Sequence, residues 1–359
     1  MHLIFLKCNL RQVLLFFVCY ICILQKTLVI ETEKNWKNES LSNFWHKKGE
    51  WKMNEIIQVS HLKKYFKEVK AVDDVSFNVS RGELFGFLGV NGAGKTTTIS
   101  MLCTLLEPTE GEVLIDGLRL GKEDEEIKRR IGVVYQDNCL DNILTVKENL
   151  LLRGGLYEKD KTILKKNLHR VCEILDLTEL LNRKYGKLSG GQKRKCEIAR
   201  ALMHTPDILF LDEPTTGLDP ASRKSVWEAI GKLQKDMGMT VFLTTHYMEE
   251  AAKANHIAIM QNGHLTQYGT PFELKEIFAK DKLILVPKQE ESKEIFQILD
   301  GRNVRYKQKE NLIYIPIEKT LSAMPILEVV KDKILGFEVI QGTMDDVFLN
   351  ATKGGVRNE

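Results

Sequence analysis

The stretch Leu84-Phe85-Gly86-Phe87-Leu88-Gly89-Val90-Asn91-Gly92-Ala93-Gly94-Lys95-Thr96-Thr97 decides the fold. Leu84 to Leu88 is a short apolar run of strand character. The next residues, Gly89 to Thr96, fit G-x-x-x-x-G-K-[ST], and a pattern of helical period follows. Glycines there let the backbone close around phosphate groups, so that successive N–H groups and a helix N-terminus face negative charge. Lys95 is placed to bind terminal phosphates and the Thr96 hydroxyl to ligate a hard cation. Gly89, Asn91, Gly92, Ala93, Gly94, Lys95, Thr96 and Thr97 are therefore the first candidate site residues.

Working outward, the run from Glu55 to about Tyr268 alternates apolar strands with amphipathic stretches, the pattern of an α/β domain. Strands read at Val75 to Val79, Leu84 to Leu88, Val113 to Ile115, Ile131 to Val134, Ile208 to Leu211, Val241 to Thr244 and Ile257 to Met260. Several are uniformly apolar, as expected where both faces of a sheet are covered. Between Thr145 and Met203 the strands give way to Leu-rich helical patterns, which places a helical subdomain at about 145–203. Asn262-Gly263 marks a tight hairpin that closes this first domain. From Leu283 onward the order is strand, helix, strand, strand, helix, strand, helix, read as a small α+β domain over 281–359. Its last helix starts at Thr343, with Asp346 three residues later in a box-like arrangement and Val347, Phe348 and Ala351 on an apolar face.

The run Ile208 to Leu211 ends in Asp212-Glu213. Two carboxylates at a strand end suit cation binding and activation of a water molecule. Leu188-Ser189-Gly190-Gly191-Gln192 precedes a helical run, and a serine hydroxyl, bare glycine N–H groups and a helix start make a second phosphate cradle. Taken singly, each of these has a plainer reading. Ser-Gly-Gly starts many helices, Gln136 would be a solvated loop residue, His246 a hydrogen-bonded core histidine, and Asp219 a helix cap before Pro220.

Together, in this order, Gly89 to Thr96, Gln136, Leu188 to Gln192, Asp212-Glu213, Gly217-Leu218-Asp219 and His246 resemble the ATPase subunits of ATP-binding cassette (ABC) transporters. The resemblance covers roughly Met53 to Thr352. It implies a P-loop NTPase domain of α/β class with a helical subdomain, here followed by the small C-terminal domain. It also implies ATP and Mg2+, with Thr96, Gln136 and Asp212 at the metal, Glu213 as general base and His246 on the γ-phosphate. Ser189, Gly190, Gly191, Gln192 and Asp219 would complete the ATP site of a second copy in a head-to-tail dimer. An aromatic residue before the sheet would stack on adenine; the spacing favours Phe66, with Tyr65 as the alternative. Val90 stands where most relatives carry proline.

The ending Gly342-Thr343-Met344-Asp345-Asp346-Val347-Phe348-Leu349 resembles that of exporter subunits of the daunorubicin-resistance type, for drugs, antibiotics or sodium. The resemblance then implies a separately encoded integral membrane permease as partner, and a peripheral place on the cytoplasmic face of the membrane. The rival reading is a soluble ATPase of the same family acting on nucleic acid, ribosomes or another protein. The charge balance speaks against nucleic acid, since 52 basic and 49 acidic residues leave a net charge of only +3.

Seven scattered cysteines do not form the framework of a small secreted domain. Residues 1–52 are atypical. Val13 to Leu24 is continuously apolar between basic flanks, too short to span a bilayer and without a small-residue cleavage site. Cys19 and Cys22 lie inside it and receive no role. The expectation is that Met53 is the true first residue, against the rival of a membrane anchor.

Overall fold

The computed structural model describes residues 54–288 and 291–353. The apolar run, the Cys19/Cys22 pair and the expected start at Met53 lie outside them. The chain opens on a long hairpin, β1 (Glu55–Phe66) and β2 (Val69–Ser80). Next comes β3 (Leu84–Gly89), buried along its whole length, and then α1 (Lys95–Leu102). β4 (Glu110–Ile115) and β5 (Leu118–Arg119) turn on Asp116-Gly117, both at positive φ, as the tight hairpin requires. α2 (Asp124–Arg130) places three acids in its first turn and three bases in its last, matching the helix dipole, and leads into β6 (Ile131–Val134).

The helical stretch follows as α3 (Val146–Gly154), α4 (Lys161–Ile174) and α5 (Gly190–Leu202). Each start is fixed by a side chain: Thr145 with Glu148, Asp160, and Ser189 with Gln192. The chain returns through β7 (Ile208–Asp212), α6 (Pro220–Met237), β8 (Thr240–Thr245), the short α7 (Met248–Ala251) and β9 (His256–Gln261). Asn262-Gly263, both at positive φ, then turns it into β10 (His264–Gly269), followed by α8 (Pro271–Phe278). Last come β11 (Asp281–Pro287), α9 (Ser292–Gly301), β12 (Lys307–Lys309), β13 (Leu312–Ile317), α10 (Met324–Val330), β14 (Ile334–Ile340) and α11 (Met344–Lys353).

The central sheet has the order β10-β9-β3-β8-β7-β6, parallel from β9 to β6, with β10 antiparallel at one edge. Alternation along its strands feeds two cores. Leu84, Leu88, Leu209, Leu211 and Leu243 face the helices, while Phe85, Phe87, Phe210 and Phe242 face the antiparallel sheet β2-β1-β4-β5. There Phe77 joins them in an aromatic cluster with ring centroids 5.1 Å (Phe85–Phe242) to 6.1 Å (Phe77–Phe242) apart. A third core lies between the sheet β12-β13-β11-β14 and its helices, around Leu283, Leu285, Ile295 and Ile315.

The division at 281–359 needs one correction. α11 does not pack with the C-terminal sheet's core; Met344, Val347 and Ala351 enter the same core as Ala251 and Leu274 of the first domain. The apolar stripe was visible in the sequence, but a stripe does not say which surface will cover it. The start of α11 is as expected: Thr343 Oγ1 accepts the Asp346 N–H at 3.2 Å, and the Asp346 carboxylate accepts the Thr343 N–H at 3.1 Å.

Candidate active site

The turn from β3 into α1 makes a concave backbone. Gly92 and Gly94 have φ of +80° and +104°, and a Cβ on Gly94 would lie 2.3 Å from the Ala71 carbonyl oxygen, so no other residue fits there. Gly94 caps α1, whose first turn carries no acid, leaving its N–H groups facing the cleft. Lys95, only 7% exposed, donates from Nζ to the carbonyls of Gly89 at 2.7 Å and Val90 at 3.1 Å. Burial pushes its pKa down, and the nearby Glu213 and Asp212 oppose this. The ammonium is thus held at the loop by weak acceptors that a phosphate can replace.

The cleft has a volume of about 640 Å3, and its lining brings together Asn91, Gly92, Gly94 to Thr97, Gln136, Asp212 and Glu213. β7 runs beside β8, so Asp212 stands opposite Thr244, whose hydroxyl donates to Asp212 Oδ1 at 2.5 Å. Glu213 sits in the left-handed region, φ +46°, uncommon for a side-chain-bearing residue. Its N–H is taken by Thr244 Oγ1 at 3.0 Å, and Glu213 Oε2 accepts from Thr216 Oγ1 at 3.1 Å. His246 Nδ1 lies 3.4 Å from Glu213 Oε1. With a side chain 41% exposed, His246 is not a core histidine.

Among the described residues no group of three or more His, Cys, Asp and Glu forms a metal cage. Thr96, Gln136 and Asp212 bring a hydroxyl, an amide and one carboxylate to the cleft. That donor set fits magnesium, which takes few protein ligands and leaves its remaining positions to water and phosphate oxygens.

Ser189, Gly190, Gly191 and Gln192 lie elsewhere and do not line the cleft. Ser189 caps α5: its Oγ accepts the Gln192 N–H at 3.3 Å, and Gln192 Oε1 accepts the Ser189 N–H at 3.0 Å. A Cβ on Gly191 would come within 2.7 Å of the Ser222 side chain, so the start of α5 is packed tightly on the start of α6. Asp219 caps α6 through Oδ1 to the Ser222 N–H at 3.0 Å, and the hydrogen bonds from Ser222 hold its carboxyl below the usual range.

Phe66 is half exposed and pairs with Val69 across the hairpin. It is Val69 and Lys70, not Phe66, that line the cleft. The Tyr65 hydroxyl donates to Asp73 at 2.7 Å.

Two buried charges that sequence reasoning missed hold the site together. Arg194, 5% exposed on α5, donates to the carbonyls of Asp212 at 2.9 Å, Pro214 at 2.8 Å and Tyr135 at 2.5 Å. Glu250 accepts from the hydroxyls of Thr215 and Thr245, tying the segment after Glu213 to the residue before His246. In sequence, Arg194 sits among Lys193 and Lys195 and Glu250 beside Glu249, so both read as solvated helix faces.

The family model described as "ABC transporter" matches residues 72–216. The "Daunorubicin resistance ATP-binding protein DrrA2" of Streptomyces coeruleorubidus is 33% identical over 306 residues, 82% of this chain and 94% of that protein. The "Probable multidrug ABC transporter ATP-binding protein YbhF" of Escherichia coli is 39% identical over 227 residues, 63% of this chain; the chain spans only 39% of that relative's length. Among solved structures, the dimeric post-hydrolysis state of the ATP-binding cassette MJ0796, bound to ADP and Pi, is 28% identical with a TM-score of 0.54, over 60% of this chain and 98% of that one. With a relative 33% identical over 82% of its length, the chain belongs to the family of ABC transporter ATP-binding proteins.

Proposed function

We propose that two copies of this chain bind two ATP molecules head to tail and hydrolyse them to drive export through a separate membrane permease. One observation carries the reading: the cleft holds the P-loop, Gln136, Asp212 and Glu213, while the second cradle at Ser189 to Gln192 opens elsewhere on the same chain. A cradle that cannot serve its own cleft can serve that of a second copy.

In this reading Gly92 to Thr97 hold the triphosphate through backbone N–H groups and Lys95. Thr96, Gln136 and Asp212 would hold magnesium, which when bound neutralises charge on the transferred phosphoryl group. Glu213 takes the proton of the attacking water, and His246, beside it, contacts the γ-phosphate. Ser189, Gly190, Gly191 and Gln192 of the second copy close the site from the other side, with Asp219 at the seam. Adenine stacks on Phe66, which pairs across the first hairpin with Val69 of the cleft wall.

Among the described residues no helix is long and apolar enough to cross a membrane. In this reading the transport path lies in a partner, and the chain acts from the cytoplasmic side as a peripheral subunit. The likeness to DrrA2 favours export of a drug-like or antibiotic molecule. Tagged Glu213→Gln protein, recovered in detergent from native membranes with Mg-ATP, tests this. An integral membrane protein in equal amount supports the exporter, and nucleic acid or soluble protein alone contradicts it.

A further inference from the structure

A cavity of about 480 Å3 adjoins the nucleotide cleft and shares Asn91, Gln136 and Glu213 with it. His246, Met248 and, from α11, Phe348 are in its wall. Among the described lining residues Phe348 alone comes from beyond the C-terminal sheet, so the last helix reaches the place where Glu213 and His246 meet.

The position of Phe348 is fixed rather than incidental. Met344, Val347 and Ala351 are buried in the first domain's core together with Met248, and Phe348 packs against that core. Lys282 Nζ donates to Asp346 at 2.8 Å, and the Gly342 N–H donates to Asp281 at 3.0 Å, tying the start of α11 to β11. At the other end Asn350 donates to the Phe278 carbonyl at 2.7 Å, and Gln261 to that of Thr352 at 3.4 Å. The neighbouring Leu349, by contrast, is 52% exposed. Two-fifths of the His246 side chain is open to solvent, so its placement beside Glu213 depends on the walls around it.

We infer that Phe348 is a positioning residue for hydrolysis: its ring backs the His246–Met248 turn and keeps His246 beside Glu213. The C-terminal segment thereby sets the turnover rate and not the affinity for nucleotide. This rests on Glu213 and His246 being the hydrolytic pair.

The test compares Phe348→Ala, Phe348→Leu and Leu349→Ala in the full chain. Misplacement of a catalytic group by about 1 Å costs up to about 10²-fold. Phe348→Ala should therefore lower kcat by about tenfold while KM for Mg-ATP stays within about twofold. Phe348→Leu should restore most of the rate, and Leu349→Ala should leave it unchanged. In parallel, the imidazole 13Cε1–H NMR signal of His246, identified by its loss in His246→Ala, should move in Phe348→Ala and not in Leu349→Ala. That signal is read without nucleotide. A wild-type chain unable to hydrolyse ATP would count against the hydrolytic reading, and the histidine signal would still decide the role of Phe348. An unmoved His246 signal in Phe348→Ala overturns the proposal, as does equal loss of kcat in Leu349→Ala.

Discussion

Glu213 and His246, on either side of the β7–β8 seam, approach to 3.4 Å between Oε1 and Nδ1. They are 33 residues apart in sequence and lie just past two strand ends that parallel pairing places side by side. The Glu213 carboxylate accepts from Thr216 and faces an imidazole, and in the proposed mechanism it is the base that takes the proton of the attacking water. Glu213→Gln keeps the shape and removes the base. Hydrolysis should fall by about 10²- to 10⁴-fold with nucleotide binding intact; steady-state phosphate release and equilibrium binding of a fluorescent ATP analogue check the two halves separately.

The two glycines of the phosphate turn should not respond alike. A methyl at Gly94 would strike the Ala71 carbonyl, whereas a methyl at Gly92 meets nothing within 4 Å and carries only the left-handed backbone cost, about 1–2 kcal/mol. Gly94→Ala should abolish ATP binding, and Gly92→Ala should weaken it by no more than about 30-fold. Calorimetric titration of both variants reads the difference, and equal affinities would contradict the close approach at Gly94.

Arg194 is the mechanical hub. Its guanidinium satisfies carbonyls on the segment of Gln136, at the end of β7 and just past Glu213. Arg194→Ala leaves buried carbonyls without a donor, at about 1–3 kcal/mol each. It should lower the unfolding midpoint and hydrolysis together, and Arg194→Lys should recover only part, because an ammonium cannot reproduce the planar fork. Denaturant unfolding with parallel ATPase assays checks this; a variant of wild-type stability would show the carbonyls to be satisfied some other way.

Several helix starts are capped by acids whose pKa the fold depresses. Backbone N–H groups at Thr145, Thr162 and Thr270 hold Glu148, Asp160 and Glu273 low, and the Ser222 hydroxyl and then its N–H do so for Asp219. The folded values lie below the unfolded ones, so in the acid range the unfolded chain binds more protons and stability rises with pH. The contribution is complete above the unfolded carboxylate range near about pH 4 and is lost as pH falls through the depressed folded values. Thermal unfolding between pH 6 and pH 3.5 should show this fall. The double variant Asp160→Asn/Asp219→Asn, which keeps the caps without the charge, should show a shallower one; an unaltered slope would contradict the assignment.

What could be read in the sequence was local. β3, the phosphate turn and α1 are adjacent in the chain, and each signals itself by composition. Asp212 and Glu213 were readable because an apolar strand ends on them. β1 does not announce itself as a strand, because its alternation is broken at His61, which has φ +50°, and at several register shifts against β2. Arg194 reaches carbonyls 18 or more residues away, Glu250 joins nearby Thr245 to Thr215, 35 residues off, and Phe348 lies in a wall built by distant segments; nothing in their own neighbourhoods marks them. The cradle at Ser189 was visible as chemistry, yet its separation from the cleft is a property of the folded chain.

That separation is tested most directly by sedimentation velocity of purified Glu213→Gln protein with and without Mg-ATP. If each nucleotide lies between the P-loop of one copy and Ser189 to Gln192 of another, Mg-ATP converts monomer to dimer, and Ser189→Arg in the same background abolishes the dimer while each monomer still binds ATP. A protein that stays monomeric at saturating Mg-ATP, or a dimer indifferent to Ser189→Arg, would contradict the shared site.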